Sequence, residues 1–335
     1  MVKKLLEKEW DICIFVKKVV SLQRFMLVRT GIYRIKSWIK HQLTARNTGG
    51  HGIHSPYLFE WVRLVMADKN SYYAWGKIEE CRERMLADKR EVAFVDYGSG
   101  KRTRSLENDA NVGSLALRDK RRVCDIAKGS LARKKYAQML ARLVNWLGHP
   151  LQTFPLEAPH NASAVERSAR GGNGDGQLAV GNGLTIVELG TSLGITTAYM
   201  AAVDSRNKVV TYEGCPAVAE IAKENWKMLG INNIECVVGD INVEKLDKEL
   251  GRVDVAFVDD NHTYAGTRAY VNILLKKMHA KSVLVVDDIH HSAEMERAWR
   301  EICADERVTS TMDLYQMGLV FFDKHYWKRH YVMKL

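Results

Sequence analysis

Acidic residues stand at the ends of five successive apolar runs: Glu188, Glu213, Asp240, Asp259 and the pair Asp287-Asp288. Glu188 opens the turn Gly190-Thr191-Ser192-Leu193-Gly194. Its two glycines permit a tight bend and a close backbone approach to a ligand. Glu213, followed by Gly214, lies 19 residues beyond Gly194. At that distance the carboxylate at a strand end can hydrogen-bond both hydroxyls of a ribose. Gly239-Asp240-Ile241 suits the edge of an adenine. Taken together, these residues describe a nucleoside-binding crevice.

Such a crevice needs elements that bring strand ends together. Strands are expected at 184–189, 208–213, 234–239, 253–258 and 282–286, alternating with helices at about 196–205, 217–229, 264–279 and 293–303. Short apolar strands separated by amphipathic helices imply a parallel sheet covered on both faces. Two late strands, near 308–312 and 318–322, are expected to close the sheet as an antiparallel edge hairpin. In such sheets ligands bind beyond the carboxyl ends of the strands, where the acidic residues stand.

Two cofactors compete for the crevice. Nicotinamide dinucleotides call for a Gly-x-Gly-x-x-Gly turn that cradles pyrophosphate, whereas this turn is spaced Gly190-x-x-x-Gly194 and is preceded by Glu188. Negative charge suits the cationic sulfonium of S-adenosylmethionine better than a pyrophosphate. Residues 184–323 resemble a class I S-adenosylmethionine-dependent methyltransferase in the turn Glu188–Thr197, the strand end Thr211-Tyr212-Glu213-Gly214 and Asp287-Asp288-Ile289-His290. His51-Gly52-Ile53-His54-Ser55-Pro56 resembles an accessory region of uncharacterised methyltransferases of the Bacteroidetes type. The resemblance implies an α/β fold with a Rossmann-like seven-stranded sheet, order 3-2-1-4-5-7-6, and a mostly helical N-terminal region. It also implies cofactor contacts from Glu188, Gly190, Thr191, Ser192, Gly194, Glu213, Gly214, Asp240, Ile241 and Asp259.

In that fold the fourth and fifth strands are neighbours, so Asp259, Asp287 and Asp288 converge. Carboxylates so close repel one another unless protonated or neutralised. A magnesium ion with oxygen ligands would resolve the repulsion. The arrangement is similar to the metal-dependent catechol-type and sugar O-methyltransferases. The catechol type carries Asn where this chain has Asp288, and the sugar-modifying type carries Asp. His262, three residues after Asp259, stands where the catechol type places a catalytic Lys. A neutral imidazole there could take a proton from a substrate hydroxyl, with Asp259 beside it. The alternative roles are a substrate contact or helix cap for His262, and cofactor or substrate hydrogen bonds for the aspartates.

The 335 residues divide into four expected parts: a basic amphipathic helical segment (1–46), a mostly helical accessory region (47–158), a Gly-rich linker or insertion (159–183) and the cofactor-binding domain (184–335). The net charge of +10 is concentrated in residues 1–46, which hold eleven basic and three acidic residues. That segment is read as a helix docked on the protein, with a membrane surface as the alternative partner. Helices are expected near 57–66, 75–86 and 130–147, and a strand at 92–95. Asp96-Tyr97-Gly98-Ser99-Gly100 is read as a structural loop, His51 and His54 as turn-stabilising, His290 and His291 as surface or helix-start residues. The basic runs 120–122 and 133–135 are read as solvated faces.

The six cysteines contain no Cys-x-x-Cys pair, which argues against a clustered zinc site. No secretory signal or membrane span is visible, so a reducing cytoplasm is expected. The expected activity is O-methylation of a small-molecule or sugar-like hydroxyl, with magnesium assistance and His262 as base. Nucleic acid is disfavoured as a partner because no RNA-binding motif interleaves aromatics with the basic stretch. Homo-oligomerisation is left open. The competing functions are metal-independent methylation of nucleic acid or protein, and a non-catalytic nucleoside-binding or membrane-docking module.

Overall fold

The computed structural model describes residues 31–45, 53, 55–96, 117–148, 183–324 and 328–335. Residues 1–30, His51, His54, residues 97–116 and all but Gly183 of the Gly-rich segment 159–183 lie outside them. The sheet begins where the acidic strand ends predicted it. Strands β3 (Thr185–Leu189), β4 (Lys208–Glu213), β5 (Ile234–Val238), β6 (Val255–Val258) and β7 (Val283–Asp287) all run parallel. Two further strands, β8 (Ser310–Asp313) and β9 (Met317–Phe321), form an antiparallel hairpin. β9 inserts beside β7. The spatial order is β5-β4-β3-β6-β7-β9-β8-β10, which is the expected 3-2-1-4-5-7-6 with one strand added.

The added strand, β10 (Arg329–Val332), pairs parallel to β8. The hairpin is therefore not the edge that the sequence suggested. β10 covers it and presents the edge instead.

Side-chain alternation along each strand feeds two cores. Ile186, Val209, Val255, Phe257, Val285 and Leu319 face one way, and Val187, Leu189, Ala256, Val258, Leu284 and Val286 the other. The second face is covered by α8 (Val243–Glu249), α9 (Tyr264–Lys277) and α10 (Ala293–Ala304). The first face is covered by chain from the N-terminal region. Helix α2 (Pro56–Trp61), continued by a π turn over Val62–Met66, and α5 (Lys134–Gly148) place Trp61, Val65, Met139, Leu140 and Leu143 in the same core as the strands. Each such buried side chain contributes roughly 1.5–3 kcal/mol. The accessory region thus supplies a layer of the sheet's own packing.

The same region also roofs the crevice end. Helices α3 (Tyr73–Ala87) and α4 (Val123–Ser130) pack Met85, Val123 and Ile126 against Leu193 of the glycine turn and against Val218 and Ile221 of α7 (Pro216–Leu229). β1 (Glu91–Asp96) pairs antiparallel with β2 (Leu117–Arg122). The basic run 120–122 is thus a strand, and Arg121 lies over the Phe94 ring. The sequence hid this because β2 is charged rather than apolar. Helix α1, residues 31–44, docks by Tyr33 and Lys40 on Glu296 and by the Arg34 carbonyl on Tyr315. This is the docked-helix reading for the described part of the N-terminal segment.

Candidate functional site

Glu188, next to last in β3, is fully buried. One carboxylate oxygen accepts from the hydroxyls of Thr197 and Thr211. The other is buried with no partner. Burial pushes its pKa up to about 7, against the two threonine hydrogen bonds. The turn that follows needs both glycines. At Gly190, φ is +98° and a Cβ would lie 2.3 Å from the Asp259 carbonyl oxygen. At Gly194, φ is +73° and a Cβ would lie 2.6 Å from the Trp226 ring. Trp226 and Asn225 of α7 also donate to the Gly194 and Leu193 carbonyls, at 2.8 and 3.0 Å. These contacts hold the start of α6 (Ile195–Ala201) in place.

Glu213 reaches from the end of β4 to this turn. Its carboxylate accepts the Ser192 N–H at 2.7 Å and the Cys215 N–H at 2.9 Å. Burial raises its pKa to about 7, opposed by those two backbone hydrogen bonds. Gly214 follows, half-buried. The Thr191 hydroxyl is spent on Thr211 at 2.6 Å, inside the fold. The Ser192 hydroxyl meets Ser130 of α4 at 2.6 Å, so the accessory region touches the glycine turn. On the neighbouring strand the Gly239 N–H bonds the Glu213 carbonyl at 2.9 Å, with Asp240 exposed and Ile241 half-buried beyond it. The residues expected to form a nucleoside rim thus stand together at the ends of β3, β4 and β5.

The ends of β6 and β7 bring the second expected group together. Asp259 and Asp287 share a carboxyl–carboxyl hydrogen bond, and both are pushed well up, first by burial and then by neighbouring aspartates. Burial also works against Asp288, but the hydrogen bond from His291 and the charges of His262, His291 and Arg34 outweigh it and hold it low. His291 Nδ1 stands 3.2 Å from Asp288. The His262 ring stacks on that of His291 at 5.6 Å, and its Nε2 is 3.9 Å from Asp259. Burial lowers the His262 pKa, so its imidazole is neutral at pH 7.

The metal triad expected from Asp259, Asp287 and Asp288 is not assembled. Among the described residues no group of three acidic, His or Cys side chains is placed to hold a metal ion. Burial and neighbouring aspartates push Asp259 and Asp287 toward their protonated forms, and Asp288 stands 3.2 Å from His291 Nδ1. As arranged, this donor set does not fit the ion.

Sequence reasoning missed a cavity of about 400 Å³ adjoining this cluster. Asp288 and His291 line it, together with Arg34, Trp38 and His41 of α1 and Arg133 before α5. Arg133 and Lys135, read as a solvated face, stand on its wall. His290 is not a surface residue. Its Nε2 bonds buried Asp313 at 2.7 Å, and its ring stacks on Tyr315. Only the repeated histidines at 290–291 marked this region in the sequence.

Residues 187–289 match a family described as a methyltransferase domain. The chain carries a methyltransferase domain over these residues. Among curated proteins, the methyltransferase is 27% identical over 177 residues to a protein-L-isoaspartate O-methyltransferase of Ignicoccus hospitalis, covering 48% of this chain and 76% of that one. It is 40% identical over 63 residues to a protein-L-isoaspartate O-methyltransferase of Magnetococcus marinus, covering 19% and 27% of the two chains. Among solved structures, an O-methyltransferase from Bacillus cereus in complex with SAH aligns at a TM-score of 0.42 and 18% identity, covering 59% of this chain and 87% of that one. No described helix of the methyltransferase is long and apolar enough to cross a membrane.

Proposed function

We propose that the methyltransferase acts on a hydroxyl oxygen of a small molecule, with His262 as general base. The observation that carries this reading is the neutral, half-buried His262 stacked on His291, whose own side chain lines the 400 Å³ cavity. S-adenosylmethionine, when bound, supplies an electrophilic methyl group. The crevice suits it: the buried Glu188 oxygen without a partner, with Glu213 beyond it, offers negative charge to a cationic ligand. In this reading Glu213 takes the ribose hydroxyls, the Gly190–Gly194 backbone lies against the ligand, and Asp240 and Ile241 border the adenine. His262 accepts the acceptor's hydroxyl proton at Nε2 as the oxygen becomes nucleophilic. His291 and Asp288 orient the His262 ring and stabilise its charged form. Asp259, protonated against Asp287, keeps local negative charge low.

The curated relatives are named for isoaspartate in proteins, an acceptor carboxylate that needs no base. Label transfer from methyl-labelled cofactor separates the two readings. The acceptors are a set of hydroxylated metabolites and an isoaspartyl peptide. Labelling of hydroxyl acceptors that His262→Asn abolishes supports the proposal. Labelling of the peptide alone refutes it.

A further inference from the structure

The cavity beside His291 concentrates positive charge. Arg34 enters from α1, Arg133 and Lys135 from the start of α5, and Lys334 from the chain beyond β10. Among the described residues no ion pair engages Arg34, Arg133 or Lys334. Asp288 is the acidic side chain on the wall, and its charge is already met by His291 at 3.2 Å. Lys135 donates to the Leu335 carbonyl at 3.1 Å, and burial and Arg133 lower its pKa. Four cationic side chains share this cavity with one acidic side chain, Asp288, on which both Arg34 and His291 act, so the surplus of positive charge favours an anion.

The cavity also has a built polar wall. His41 is 4% exposed, and its Nδ1 is buried without a partner. His290 Nδ1 is likewise buried and unpartnered. The Nε2 atoms of both rings face Asp313, at 3.4 Å for His41 and 2.7 Å for His290. That carboxylate is held below its usual range: burial opposes ionisation, but the two histidine hydrogen bonds prevail. Buried polar groups without partners are uncommon, and here two belong to residues that line the same cavity. Trp38, Tyr136 and Tyr315 supply apolar wall. The volume falls in the ordinary range for small-ligand sites.

We propose that this cavity binds the methyl acceptor through a terminal oxyanion, a phosphate or a carboxylate, gripped by Arg34 and Arg133. The acceptor class is thus an anionic, hydroxyl-bearing small molecule. The guanidinium fork matches the oxygens of either group. The proposal rests on the reading that a hydroxyl beside His262 is methylated. In this proposal the oxyanion end lies at the cations and the reacting hydroxyl at the His291 end, the side on which His262 stacks against the His291 ring.

Calorimetric titration of the full chain tests this, with and without S-adenosylhomocysteine. The probes are inorganic phosphate, ribose 5-phosphate, ribonate and uncharged ribose. Phosphate or ribonate should bind where ribose does not, and the Arg34→Ala/Arg133→Ala double variant should weaken that binding by at least about tenfold. Both arginines are exposed, and the variant should bind S-adenosylhomocysteine as the wild type does. Tighter binding of ribose 5-phosphate than of ribonate assigns a phosphate, and the reverse a carboxylate. Equal binding of charged and uncharged probes, or undiminished oxyanion binding in the double variant, overturns the proposal. Failure to bind S-adenosylhomocysteine overturns the function proposed above, while the titrations without it still decide the cavity.

Discussion

Replacing Gly194 by Ala tests whether the glycine turn is shaped by packing as much as by its ligand. The residue sits at φ +73°, where an L side chain costs roughly 1–2 kcal/mol. The new Cβ would lie 2.6–2.8 Å from three atoms of the Trp226 ring, so the ring must move. Moving it breaks the Trp226 Nε1–H bond to the Gly194 carbonyl, worth about 0.5–1.5 kcal/mol. The expected sum is about 2–3 kcal/mol of lost stability, read by urea denaturation. In a Trp226→Leu background the clash and the hydrogen bond are already gone. There, Gly194→Ala should cost only the backbone strain, a coupling that a double-mutant cycle detects. Adenosylhomocysteine affinity should fall in the single variant, because Ser192 and Glu213 are hydrogen-bonded through this turn. A cost below about 0.5 kcal/mol, or equal costs in the two backgrounds, would refute the reasoning.

Glu213→Gln should weaken adenosylhomocysteine binding by about 1–3 kcal/mol in calorimetry; unchanged affinity removes Glu213 from the site. Glu188 and Glu213 have folded pKa values raised to about 7 from 4.5. The folded state therefore binds more protons than the unfolded one between those values, and stability should fall as pH rises from 4.5 to 7, then level off. Denaturation midpoints across that window measure this, and Glu213→Gln should shallow the slope. His262→Asn should lower kcat by about 10²–10⁴-fold while cofactor affinity stays put. Wild-type activity should rise with pH through an inflection below the ordinary histidine value, because burial lowers the His262 pKa. Full activity in a chelator is expected, and loss restored by magnesium would contradict the account of the three aspartates.

The sheet and its rim were legible because both rest on local patterns. Five apolar strands, each closed by an acidic residue, need only alternation and spacing to be recognised, and β3, β4 and β6 stand within two residues of the expected limits. β2 was not legible: its strand is charged, and its partner β1 ends about 20 positions earlier in the sequence. Nor was β10, whose pairing with β8 is a matter of register between distant residues.

The sequence alone determined which residues reach the strand ends, since a parallel sheet delivers them there whatever covers it. It could not determine their state. The upward shifts of Asp259 and Asp287 depend on burial and on distances between separate strands, and so does the absence, among the described residues, of a group placed to hold a metal ion. The basic cavity was a product of tertiary packing alone. Arg34, Arg133, His290 and Lys334 lie up to 300 positions apart, and only the docking of α1 and the closing of the chain over β8 set them around one space.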